Sequence, residues 1–95
     1  MSHEEILVVD DEKNIRSSLE GILKDEGYQV LPAESAKEAL KRLKTDSVDM
    51  IITDEKMPDL TGMELLSEVK KMDPAIPVIL ITAYGSVSMA VDALK

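Results

Sequence analysis

A chain of 95 residues with 44% hydrophobic content makes one small domain, near the lower limit of what a single core stabilises unaided. Its eleven Lys and Arg against nineteen Asp and Glu leave a net charge of −8, which repels a phosphate backbone and argues against direct nucleic-acid binding by this domain. The lack of Cys excludes a disulfide framework, a thiolate metal site and a Cys nucleophile, and suits a reducing cytoplasm.

The segment Met1-Ser2-His3-Glu4-Glu5 has neither the basic nor the apolar region of an export signal. The longest apolar runs, Ile6 to Val9 and Val78 to Ile81, are far too short to span a membrane. A cytoplasmic protein without membrane contact is the expectation.

Ile6-Leu7-Val8-Val9 reads as a buried strand. Ile15, Leu19, Ile22 and Leu23 then recur as one face of a helix, which Gly27 stops. Gln29-Val30-Leu31 predicts a short second strand, followed directly by Pro32. Ser35-Ala36-Lys37-Glu38 has the form of a capping box and opens a helix with Ala36, Ala39, Leu40 and Leu43 on its inner face. Met50-Ile51-Ile52-Thr53 is a third strand. After the turn-rich Met57-Pro58-Asp59-Leu60, a second capping-box pattern, Thr61-Gly62-Met63-Glu64, leads into a helix with Leu65, Leu66, Val69 and Met72 inside, ended by Pro74. Val78-Ile79-Leu80-Ile81 is a fourth strand, and Ser86 to Lys95 begins a helix carrying Val87, Ala90, Val91 and Leu94.

Four such units in a row predict an α/β fold with right-handed crossovers, a doubly wound parallel sheet covered on both faces. Pro32 lacks a backbone donor and is best tolerated at a sheet edge. That suits the flavodoxin-like order 2-1-3-4-5, with strand 2 outermost.

In such sheets ligands bind beyond the carboxyl ends of the strands, where the order reverses, here between strands 1 and 3. Strand 1 ends in Asp10-Asp11 and strand 3 in Asp54. Three carboxylates in one crevice repel one another unless a cation sits among them. With only oxygen ligands on offer, magnesium is the expected ion. A carboxylate beside magnesium can also attack phosphorus and form an acyl phosphate. Thr82, at the end of strand 4, has a hydroxyl suited to meeting a phosphoryl oxygen on Asp54, and Ala83 leaves room for it. Singly these residues have plainer uses: Asp10, Asp11 and Glu12 suit the cap and dipole of the first helix, Asp54 a loop and Thr82 a turn. Their joint placement at adjacent strand ends favours a site. His3 and the scattered Met residues suggest no role.

Three stretches carry a resemblance: Ile6-Leu7-Val8-Val9-Asp10-Asp11-Glu12, then Asp54-Glu55-Lys56-Met57-Pro58 with Asp59 and Gly62, then Ile81-Thr82-Ala83-Tyr84-Gly85. They resemble the successive signatures of response-regulator receiver domains of two-component signalling. The resemblance implies that Asp54 is the phosphoacceptor, that Asp10, Asp11, Asp54 and the backbone carbonyl of Lys56 hold Mg2+, and that Thr82 is the switch hydroxyl. It implies a sensor histidine kinase as partner, and phosphoryl transfer only to the protein's own Asp54 with slow self-dephosphorylation, not an enzyme acting on other substrates. The stretch from Ala83 to Lys95 looks most like NtrC-type transcriptional activators, whose receiver precedes an ATPase and a DNA-binding domain.

Family receivers continue through a fifth strand with an aromatic residue and a Lys, then a fifth helix. These 95 residues are therefore expected to be a receiver domain incomplete at its C-terminus, with strand 5 and helix 5 missing. Tyr84 matches a loop position and does not replace the aromatic. Strand 4 then becomes an edge, which favours a homodimer or exchanged assembly.

Three other classes fit less well. An aspartyl-phosphate hydrolase of the haloacid dehalogenase kind needs a second Asp two residues past the nucleophile, where this chain has Lys56. A nucleotide-binding domain needs a Gly-rich phosphate loop in place of Asp10-Asp11-Glu12. A receiver relic that only interacts or dimerises is disfavoured by the intact acidic triad but kept open by the missing fifth strand.

Overall fold

Alternation along each strand gives the sheet two apolar faces, and helices cover both. The computed structural model describes residues 4–81, so the expectations for His3, for Thr82 and for the helix from Ser86 lie outside the described residues. The elements run β1 (Glu5–Val9), α1 (Lys13–Asp25), β2 (Gln29–Ala33), α2 (Ala36–Thr45), β3 (Met50–Asp54), α3 (Gly62–Met72) and β4 (Val78–Ile81). All strand pairs are parallel, in the order β2-β1-β3-β4. This is the flavodoxin-like order expected from the sequence.

Leu7, Val9 and Ile51 point to one face and pack with Ala33, Ala36, Ala39, Leu65 and Val69, beneath α2 and α3. Ile6, Val8 and Ile52 point to the other and pack with Leu19 and Leu23 of α1. Each fully buried Leu, Ile or Val contributes about 1.5–3 kcal/mol of transfer free energy. Two side chains expected on inner faces lie at the margin. Ile22 is 36% exposed, because at 3.6 residues per turn it sits about 60° round the helix from Leu19. Met72 is 47% exposed; it has the inward phase but is the final residue of α3, with no following turn to cover it.

Chain reversals follow the local chemistry. Gly27 adopts φ 94°, and its amide donates to the carbonyl of Lys24 while that of Tyr28 donates to Leu23, both at 3.0 Å. Those two bonds form a Schellman motif, which satisfies the last carbonyls of α1. Thr61 and Glu64 form the expected capping box, with reciprocal bonds of 3.1 and 3.0 Å. At α2 only half of the expected box is present: Ser35 Oγ accepts from the Glu38 amide at 3.1 Å.

Pro32 lies within β2 rather than after it, opposite Val8. The Gln29 amide donates to Glu4, and the Ala33 carbonyl accepts from Asp10. By alternation residues 29, 31 and 33 face β1, and Pro32 turns its nitrogen to the open edge, where no ladder bond is lost.

Candidate metal and phosphoacceptor site

Val9 of β1 and Thr53 of β3 are register partners, so the next residues, Asp10 just past β1 and Asp54 at the end of β3, lie side by side. Asp11 follows in the same crevice. One ligand oxygen from each of the three carboxylates lies within 4.8 Å of the others. Asp10 is buried, Asp54 half-buried and Asp11 exposed, which gives the cluster a closed floor and an open mouth.

Burial pushes the Asp10 carboxyl above its ordinary range. The Glu12 amide, donating to Oδ1 at 2.9 Å, partly offsets this, while the charges of Asp54, Asp11 and Glu12 push it further up. Among the described residues the ion pairs are Lys24 with Glu20 and Lys71 with Glu68, so neither relieves this repulsion. Of the helix-cap alternative for the acidic run, the structure shows one part: Glu12 is the N-cap of α1 and makes no side-chain cap bond, while Asp10 Oδ1 takes the Glu12 amide. An all-oxygen donor set with unrelieved negative charge fits a hard divalent cation.

The surroundings fix this geometry. Arg16 donates from Nη1 to the Asp10 carbonyl oxygen at 2.6 Å, so its guanidinium holds the acidic turn by the backbone and leaves the carboxylates free. Buried Thr53 donates to the carbonyl of Asp54 at 3.1 Å and meets Met57 Sδ at 3.9 Å. Gly62 opens α3 directly beneath the site: its amide donates to the Glu55 carbonyl at 2.8 Å. A Cβ there would lie 2.6 Å from both the Asp54 carbonyl oxygen and Leu80 Cδ2.

The structure thus brings together Asp10, Asp11 and Asp54. Lys56 lies two residues past Asp54 in the loop before α3, with its side chain exposed. Ile81 is the register partner of Asp54, and Thr82 comes next in the chain, outside the described residues. The sequence pattern assigned no site role to Arg16 or to Thr53, which it placed in the third strand, and it placed Asp59 in a turn and in the second stretch of the resemblance without a role. The available signals were a cation one turn into the helix after an acidic turn, and a polar residue in an otherwise apolar strand.

The response regulator receiver domain family matches residues 6–95. The chain belongs to that family. It is 40% identical over 97 residues to the transcriptional regulatory protein ZraR of Escherichia coli strain K12, a match covering 100% of this chain and 22% of that protein. The chain therefore spans about a fifth of the length of that relative. The receiver's fold is also that of the response regulator protein TrrA from Thermotoga maritima, crystallised in complex with Mg(2+)-BeF, with a TM-score of 0.82 and 43% identity over 85% of this chain and 70% of that one. TrrA in complex with the histidine kinase ThkA matches with a TM-score of 0.81 and 42% identity, over 87% of this chain and 72% of that one.

Proposed function

We propose that this receiver is a phosphorylation switch: Asp54 accepts a phosphoryl group from a sensor histidine kinase, with Mg2+ held by Asp10, Asp11, Asp54 and the Lys56 carbonyl. The observation that carries the proposal is the convergence of three carboxylates at the ends of β1 and β3 with no described basic side chain paired to them. A carboxylate oxygen of Asp54 attacks phosphorus, the bond from phosphorus to the donor breaks, and an acyl phosphate forms on Asp54. Bound magnesium supplies charge neutralisation at the phosphoryl oxygens. The protein's share is positioning: Asp10 and Asp11 hold the ion, and Gly62 and Thr53 fix the backbone that aims Asp54. Thr82 serves as the switch hydroxyl, meeting the phosphoryl oxygen and pulling on its own loop.

On this reading the only substrate is the protein's own Asp54, with slow self-dephosphorylation, and the output is a transcription-activating domain elsewhere in the parent protein. The relatedness to ZraR, named a transcriptional regulator, and to TrrA, seen with a histidine kinase, supports it. A cytoplasmic site of action goes with that role; no described helix is long and apolar enough to cross a membrane. Direct nucleic-acid contact by this domain is not expected at a net charge of −8. Self-association as a homodimer or exchanged assembly completes the proposal; light scattering that finds a monomer across micromolar concentrations removes that part.

The test is incubation with acetyl phosphate, with and without magnesium, followed by mass spectrometry. One phosphoryl group on Asp54, lost in Asp54→Asn and under EDTA, is the expected result. An adduct on another residue, or one undiminished by EDTA, overturns the proposal.

A further inference from the structure

We propose that Asp59 is a positioning residue for the metal site, clamping the loop that follows Asp54 onto the N-terminus of α2. The inference deepens the magnesium reading above and rests on it.

The first turn of a helix leaves backbone N–H groups without partners inside the helix. At α2 Ser35 takes the amide of Glu38, and the amides before it are taken from a distant part of the chain. Asp59 Oδ2 accepts from the Lys37 amide at 2.9 Å, and Oδ1 accepts from the Ala36 amide at 3.4 Å. A carboxylate there is also favoured by the helix dipole. Slight burial works against ionisation of Asp59, but the amides of Lys37, Leu60, Ala36 and Asp59 itself outweigh it and hold the carboxyl below the ordinary range. The clamp is therefore charged at neutral pH.

Its place in the loop gives it a role beyond capping. The stretch between Asp54 and α3 is closed at its base by the Gly62 amide on the Glu55 carbonyl at 2.8 Å. Its middle is held by Met57, which packs against the core under α2 and α3. Asp59 fixes the far end, and Asp59 is not one of the three clustered carboxylates. Lys56, whose carbonyl is the proposed fourth protein ligand, lies between these fixed points. A carboxylate can re-aim by rotating its side chain, but a backbone carbonyl moves only with its loop. Magnesium demands near-ideal octahedral geometry. The Asp59 clamp thus sets how well the loop presents its carbonyl without touching the ion, and loss of such outer partners typically weakens metal binding tenfold or more.

The test is a magnesium titration of the receiver followed by NMR at the amides of Asp10, Asp11 and Asp54. Asp59→Ala should bind magnesium about tenfold more weakly. Asp59→Asn, which keeps an acceptor for the Lys37 amide, should recover most of that loss. Ser35→Ala removes the other cap bond of the same helix end and leaves the clamp, so it should bind like the wild type. Equal affinity in Asp59→Ala and wild type overturns the inference, as does an equal loss in Ser35→Ala, which would reduce Asp59 to a helix cap. Coupling is reciprocal, so in the unmutated protein saturating magnesium should slow hydrogen exchange at the Lys37 amide; unchanged exchange also overturns it. A wild type that shows no magnesium response at all overturns the metal reading itself, and the clamp with it.

Discussion

The backbone of Gly62 lies so close to Asp54 that a Cβ on residue 62 would sit 2.6 Å from the Asp54 carbonyl oxygen. A Cβ does not approach another heavy atom that closely, and the obstacle is backbone, which does not swing aside. Gly62→Ala must therefore displace the first turn of α3 or the end of β3. A loss of roughly 1–3 kcal/mol is expected, as for other overpacked sites, and magnesium binding should weaken with it. Urea unfolding, alongside the magnesium titration, reads both.

Magnesium should stabilise the receiver in proportion to its occupancy. A ligand that binds only the folded state at ten times its dissociation constant adds about 1.4 kcal/mol. Asp11→Ala should remove this gain. Asp54→Asn should weaken it and, in magnesium-free buffer, should make the protein more stable than the wild type, because one of three crowded charges is gone. The check is thermal unfolding with and without the ion; a wild type indifferent to magnesium contradicts the assignment.

Acid stability should show two opposed contributions in magnesium-free buffer. Asp10 is raised above its ordinary value near 3.8, so its folded form binds a proton more readily than its unfolded form. Its burial therefore costs stability at neutral pH, and that cost is relieved as pH falls from its folded value towards 3.8. Asp59 is lowered from the same value. Its contribution is present above 3.8 and is lost as pH falls below it through the folded value. Asp10→Asn should abolish the relief at higher pH, and Asp59→Asn should flatten the loss at lower pH. Urea midpoints measured across the acid range separate the two.

Thr61→Ala deletes half of the α3 capping box, and such changes cost about 1 kcal/mol. Lys24→Ala breaks the exposed pair with Glu20 at 2.8 Å and should cost under about 0.5 kcal/mol. Chemical denaturation of both variants compares a bond that satisfies a helix end with one that water readily replaces.

The strands, the helix phases and the acidic triad were legible because each rests on a local pattern or on a rule of strand order. Leu19 and Leu23 recur on one helical face, and Asp10 and Asp54 each follow a run that can only be a buried strand. Ile22 and Met72 were misplaced because periodicity gives a phase but not the width or length of the cover. Pro32 was placed just beyond β2, since a missing donor marks an edge without saying whether the strand continues past it. The Asp59 bonds to α2 were invisible: they join positions 23 and 22 apart in the chain, and no local pattern announces a cap supplied from that distance.

The ladder between β1 and β3 joins Ile6 to Met50, 44 positions later. Ribosomes add roughly 5–20 residues per second, so the chain through β2 is made on the order of one to four seconds before Asp54 is added. Throughout that interval Asp10 and Asp11 have no third acid opposite them. Asp10 already feels Asp11 and Glu12, and the further repulsion from Asp54 enters only when β3 docks beside β1, after the residues of β1, α1 and β2 have been made. In order of synthesis, the complete three-carboxylate site is imposed on an apolar unit that precedes it, and growth of the nascent chain sets the earliest moment at which the proposed ion would find all three acids together.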